Sequence, residues 1–263
     1  MVRTLFWIWY AIGALLLIWL GIPDSLQFSN GLFLVFYAAY AMDLFVRGQH
    51  KPFMSDWSVN DSNSKGNASM RLWLAFVLIW LGGMAVEWVG VHSGRLFGDY
   101  TYSSILGPLV FGVPVTLGFA WIAVVCNAIL ISHDFGQRGM RLLLLRAVQV
   151  GFWTVLMDLV LDPVAHARNF WHWEGGGGFY HVPWSNFGGW LIAGAALSML
   201  LPAVPVMRQA ARRGTRLYQA ILILFGLISL TEGLPACAVI AGAGAVLAEG
   251  SLRYAGSRQI GKV

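Results

Sequence analysis

The sequence predicts an all-α fold, a polytopic membrane helical bundle of about eight transmembrane helices with both termini cytoplasmic. Three observations lead there. Of 263 residues, 58% are hydrophobic and only 11% charged, a balance that makes lipid the main solvent of the chain. The apolar residues gather into eight runs, most of them near the roughly 20 residues that a bilayer-spanning helix needs. Lysine and arginine gather in alternate segments between those runs, as they do where cytoplasmic loops hold the positive charge.

The runs, in order, are residues 5–22, 31–46, 72–91, 109–131, 142–161, 187–207, 217–230 and 234–248. The first follows Arg3 in the manner of a signal peptide, but it is long and has no small-x-small cleavage site, so it reads as a retained helix. Residues 55–69 are rich in Ser, Asn and Asp, without apolar periodicity, and read as a flexible cytoplasmic loop. Only Thr231, Glu232 and Gly233 divide the last two short runs, which form either a tight hairpin or a partly re-entrant pair. Of the 17 basic residues, only Arg95 and Arg168 fall in the outer connections. The chain therefore reads as a single transmembrane domain over residues 1–263, with terminal helices in 1–46 and 217–248. It is a multi-pass protein of the cell membrane, with membrane lipids as its surroundings.

The net charge of +5 comes from basic residues lying between apolar runs, not interleaved with aromatics on one surface. That pattern orients a membrane protein and excludes nucleic acid as a partner. Cys126 and Cys237 lie inside apolar runs with neither Cys-x-x-Cys spacing nor a nearby histidine, and read as packing residues.

Two outer connections, residues 87–114 and 158–190, hold most of the acids and histidines. Functional groups favour such loops on a rigid scaffold. Glu87 lies about one turn inside its helix, where an ionised carboxylate in hydrocarbon costs several kcal/mol unless paired or protonated. It is a candidate catalytic acid or, alternatively, a packing residue paired with Arg95. Asp158 and Asp162 stand one above the other on one helix face, with Pro163 marking the exit. Two such neighbours do not ionise together easily, which leaves one neutral carboxyl able to donate a proton. His166, His172 and His181 share one connection and His92 lies in the other, but none has compact metal-ligand spacing, and no metal is expected. The two connections also echo each other. Each runs from an acid through an aromatic, glycine-rich stretch to a Val-Pro step, at Pro114 and again at Pro183. The glycines 175–178 are followed by no Lys-Ser or Lys-Thr and suit a lid over a lipid entrance, not a phosphate loop.

At these connections the chain resembles the integral-membrane carotenoid biosynthesis family of the gamma-carotene 1',2'-hydratase and bisanhydrobacterioruberin hydratase type. The first block matches in Glu87, Gly90, Gly94, Phe97-Gly98-x-Tyr100-x-Tyr102 and Gly112-Val113-Pro114. The second matches in Asp158, Asp162-Pro163-Val164-Ala165, Trp171-x-Trp173, Tyr180, Val182-Pro183, Asn186-Phe187 and Trp190. The likeness covers about residues 70–207, and it departs at His181, where a glycine is expected, and in the lengthened glycine run. It implies a hydro-lyase that needs no cofactor and hydrates a terminal isopropylidene double bond of a carotenoid held in the bilayer, with association with other carotenoid enzymes. Glu87, Asp158 and Asp162 would supply the proton donor and the water-activating base, in either order. Arg95, Tyr100, Tyr102, His166, Trp171, Trp173 and Asn186 would bind the end group and position water.

The residues suit this chemistry on their own terms. Protonating an unactivated alkene takes a neutral acid in an apolar pocket, and aromatic faces stabilise the resulting cation. Two rivals remain at this stage: a membrane prenyltransferase holding magnesium diphosphate on Asp158 and Asp162, and a non-catalytic carotenoid or lipid carrier. The first lacks a second Asp-rich motif; the second needs the aromatics but not three acids.

Overall fold

The computed structural model describes residues 1–23, 26–49, 62–175 and 177–260. Among these, eight α-helices carry the eight apolar runs. They are α1 (Val2–Leu15, continued as a π-helical turn, Leu16–Leu20), α2 (Ser29–Gly48), α3 (Ser62–Ser93), α4 (Thr116–Ile131), α5 (Gly139–Ala167), α6 (Trp184–Ser198), α7 (Arg208–Thr231) and α8 (Pro235–Ile260). Six of them, α1 with its π turn, α2, α3, α5, α7 and α8, are long and apolar enough to cross a membrane. The polar segment expected to be a loop over 55–69 is helical from Ser62; the part before residue 62 lies outside the described residues.

The last two runs are two full helices. The Arg-rich residues 208–216 begin α7 and lengthen the apolar run behind them, so the re-entrant alternative gives way to a hairpin closed at Glu232 and Gly233. Two other runs are shorter as helices than as sequence. α4 and α6 hold 16 and 15 residues, about 24 and 22 Å at ~1.5 Å per residue, less than the ~30 Å hydrocarbon core. The first residues of the fourth run instead form a hairpin of β2 (Leu109–Val110) and β3 (Val113–Pro114), and the sixth run leaves its helix at Ser198.

α4 is the axis of the bundle, with 13 of its residues buried. It packs against α2, α3, α5, α6 and α7. Arg146, placed by sequence among cytoplasmic loop charges, is buried inside α5 and donates to the carbonyls of Ser198, Leu201 and Pro202. It braces the end of α6 and the turn that follows, where the Ser198 and Pro202 carbonyls also accept from the Leu201 and Val204 N–H groups. Pro163 does not end α5, which runs on to Ala167. Proline has no N–H for the carbonyl of Leu159, and Cys237 Sγ approaches that oxygen at 3.6 Å. This cysteine therefore serves the Leu159 carbonyl as well as the packing.

Candidate functional site

The two outer connections are tied together by a ribbon. β1 (Tyr100–Tyr102) pairs antiparallel with β4 (Trp171–Trp173), setting Tyr100 opposite Trp173 and Tyr102 opposite Trp171. Side chains alternate across a strand, so the four aromatics turn inward while Thr101 and His172 are exposed. The echo between the connections has a structural counterpart. Val110 and Val113 close a two-residue turn through Phe111 and Gly112, and Phe179 and Val182 close another through Tyr180 and His181. All four intervening residues have positive φ, as a type I′ hairpin turn demands. His181 occupies the position that glycine holds in the twin turn.

Beneath the ribbon lies Glu87, 3% exposed. Its Oε2 accepts from Tyr100 Oη at 2.6 Å and Tyr102 Oη at 2.7 Å, and its Oε1 accepts from Trp121 Nε1 at 2.9 Å. Three neutral donors converge on it, so its place in the network is that of an acceptor. Two glycines of α3 make this possible: a Cβ on Gly83 would meet the Trp121 ring at 2.6 Å, and one on Gly90 would meet Tyr100 Oη at 2.7 Å. Burial first, and then the charge of Glu87, raise both phenols well above their ordinary value; Asp162 adds to the effect. Both tyrosines thus remain protonated donors, and both lie within electrostatic reach of Asp162.

Asp158 and Asp162 are buried in α5. Asn186, from the first turn of α6, bridges them: its Nδ2 donates to Asp158 Oδ2 at 2.9 Å and to Asp162 Oδ2 at 2.5 Å. The Oδ1 atom of each aspartate is buried without a hydrogen-bond partner among the described residues. Unpartnered buried oxygens of this kind are costly in a finished core and are characteristic of places where water or substrate binds.

The aromatic wall joins the two acid groups. Trp121 stacks on Trp190 with ring centroids 4.6 Å apart, Tyr100 faces Trp173 at 5.7 Å and Tyr102 meets Trp171 edge-on at 5.6 Å. Trp173 Nε1 donates to the Phe97 carbonyl at 2.9 Å, which fixes that ring. Trp171 and Trp190 also line an apolar pocket with about 900 Å³ of empty space, its open mouth included. Its remaining walls are mostly Leu, Val, Ile and Phe from α2, α4, α5 and α7, with Arg168 at one side bound to Glu232 and to the Leu17 carbonyl.

The structure brings Glu87 together with Tyr100 and Tyr102, and Asp158 together with Asp162 and Asn186. Trp171 and Trp173 belong to the same wall. Arg95 stands apart: it is exposed, and the acceptor of its backbone N–H is Ser93 Oγ, while the places that the alternative pairing with Glu87 would need are taken by Trp121 and the tyrosines. His166 belongs to a different cluster, stacked between His172 at 4.7 Å and His181 at 5.4 Å. His92 bonds back to the Trp88 carbonyl. Among the described residues no group of three or more His, Cys, Asp or Glu is arranged to hold a metal. Sequence reasoning missed Trp121, whose signal was an indole N–H within a thoroughly buried apolar run, a group that needs an acceptor.

The carotenoid biosynthesis protein family matches residues 53–248. The bisanhydrobacterioruberin hydratase of Haloarcula japonica is 38% identical over 136 residues, a stretch covering 49% of this chain and 44% of that relative. The match thus spans less than half of the relative's length. No solved structure matches the chain. The family match takes in both outer connections, the ribbon, the three acids and Asn186, and the chain belongs to the carotenoid biosynthesis protein family.

Proposed function

We propose that the protein is a carotenoid hydratase that adds water across the terminal isopropylidene double bond of a long acyclic or monocyclic carotenoid to give a tertiary alcohol. The observation that carries this reading is the Asn186-bridged pair of buried aspartates, each with an unpartnered oxygen, on the helix that also gives Leu161, Val164 and Ala165 to an apolar chamber walled in part by Trp171 and Trp190. Two carboxyls sharing one amide hold one proton between them, because like charges at this distance resist joint ionisation. That proton forms the new C–H bond. The resulting tertiary cation lies against the faces of Trp171 and Trp190, whose ring quadrupoles attract it. Water on a free Oδ1 forms the C–O bond, and the proton it sheds returns to the pair, so the pair ends as it began. Glu87 is the fixed acceptor that orients Tyr100, Tyr102 and Trp121. The addition is redox-neutral and requires no electron carrier.

The diphosphate-transfer alternative is not taken up, because no second Asp-rich motif accompanies the pair in the sequence and one oxygen of each carboxyl is already committed to the Asn186 amide. The site lies on the membrane face poor in positive charge. Expression in a host making lycopene or gamma-carotene, followed by mass spectrometry of the pigments, tests the reading. A gain of one water per modified end is expected, lost in Asp158→Asn and in Glu87→Gln while both variants remain in the membrane. Wild-type turnover by both variants would overturn the assignment, and pigments lengthened by an isoprenyl unit would point to transfer instead.

A further inference from the structure

The hydratase reading leaves one reactant without a route. On that reading the carotenoid would come to the aspartates from the side of the apolar chamber, whose own lining includes none of the three acids, yet each turnover also consumes one water molecule. The helical positions around α5 place that second route. Leu161, Val164, Ala165 and Arg168 line the chamber; at ~100° per residue they centre about 90° to one side of the aspartates, and His166 falls about 60° to the other side. His166 lies one turn beyond Asp162, half-buried, stacked between two exposed rings, His172 and His181. Its Nδ1 faces the backbone N–H of Trp173 at 3.5 Å, which leaves the other ring nitrogen as an N–H donor. His181 is held at φ +70°, where Gly112 stands at φ +81° in the twin turn. A side chain kept in a conformation that glycine adopts freely signals that something other than the turn selects it.

We infer that the His172–His166–His181 stack is the aqueous port of the aspartate pair, admitting the substrate water and exchanging protons between bulk solvent and Asp162. The inference rests on the hydratase reading for its purpose, but its first test does not depend on activity. In the full chain in membranes, Asp162→Cys should react with a membrane-impermeant thiosulfonate added on the side of the outer connections. Adding His166→Trp should slow that labelling at least tenfold. An unreactive thiol, or equal rates in the two variants, overturns the port whether or not the chain hydrates carotenoid.

The second test uses hydration of lycopene. His181→Gly removes a ring and relieves the left-handed backbone, so its unfolding midpoint should equal or exceed that of the wild type. Hydration should nevertheless fall about tenfold, with a larger solvent deuterium isotope effect, and added imidazole should restore it by filling the vacated place. An unchanged rate, or a loss that imidazole leaves untouched, refutes the role of the stack in proton and water exchange. Wild-type chain that yields no hydrated lycopene counts against the hydratase reading, with the labelling result deciding the port separately.

Discussion

The three buried acids differ in what surrounds their oxygens. Glu87 has each oxygen engaged by a donor, whereas each aspartate keeps one oxygen free. Replacing Asn186 with Leu removes the shared amide and leaves two facing carboxyls; we expect destabilisation of about 2–6 kcal/mol, from ~1–3 kcal/mol for each abandoned buried partner, and loss of hydration, read by thermal unfolding and pigment analysis. The tyrosines make a pH prediction. Their folded values lie above the ordinary phenol value of 10, so their contribution to stability is fully present below about pH 10 and is lost as the pH rises beyond it and the unfolded chain ionises. The unfolding midpoint should therefore drop above pH 10, and Tyr100→Phe with Tyr102→Phe should flatten that drop. The acids were legible in the sequence because charge inside an apolar run is conspicuous. Trp121 was not, because an indole in such a run looks like packing until its N–H is seen to reach Glu87.

Among the elements, the eight runs were legible because hydrophobicity is local, but the ends of the helices were not. α6 stops at Ser198 although apolar residues continue, and its end is held by Arg146 from α5, a long-range contact with no trace in the local pattern. Arg146→Met should remove three charge-assisted bonds and leave the Leu201 carbonyl without its donor, at a cost of about 3 kcal/mol or more, from ~1.5–3 kcal/mol for each bond to a charged group with incomplete additivity. The loss should appear in thermal unfolding before it appears in activity. The β1–β4 ribbon was hidden for a related reason: each strand has three residues, too few for periodicity to register, and their pairing joins positions 70 residues apart. The echo of acid, aromatics and Val-Pro was visible in sequence, and its meaning is the pair of left-handed turns that end in Val113 and Val182.

The whole molecule surrounds α4 with helices so that chamber, wall and acids share one end of the bundle. Filling the chamber should separate binding from chemistry. Ala120→Trp, in the chamber wall on α4, should lower kcat/KM for a full-length carotenoid at least tenfold and spare a short isoprenoid carrying the same end group; equal loss on both would remove the chamber from the reaction. The side of the membrane is open to a direct check. Single cysteines at Thr101 and Arg212 should label from opposite faces, with Arg212 on the cytoplasmic side.

α4 and α6 are shorter than the hydrocarbon is thick, and both contribute to the site, through Trp121 and through Asn186 and Trp190. α4 is enclosed by the other helices, so it is α6, with Leu191 and Ile192 exposed, that lipid would meet; a bilayer adjusts to a short helix by thinning around it, which would bring the polar boundary toward the buried aspartates. On the hydratase reading the protein would then work as a phase-transfer device: an oil-soluble reactant and a water molecule would meet at a dent in the interface, and neither would have to enter the other's solvent.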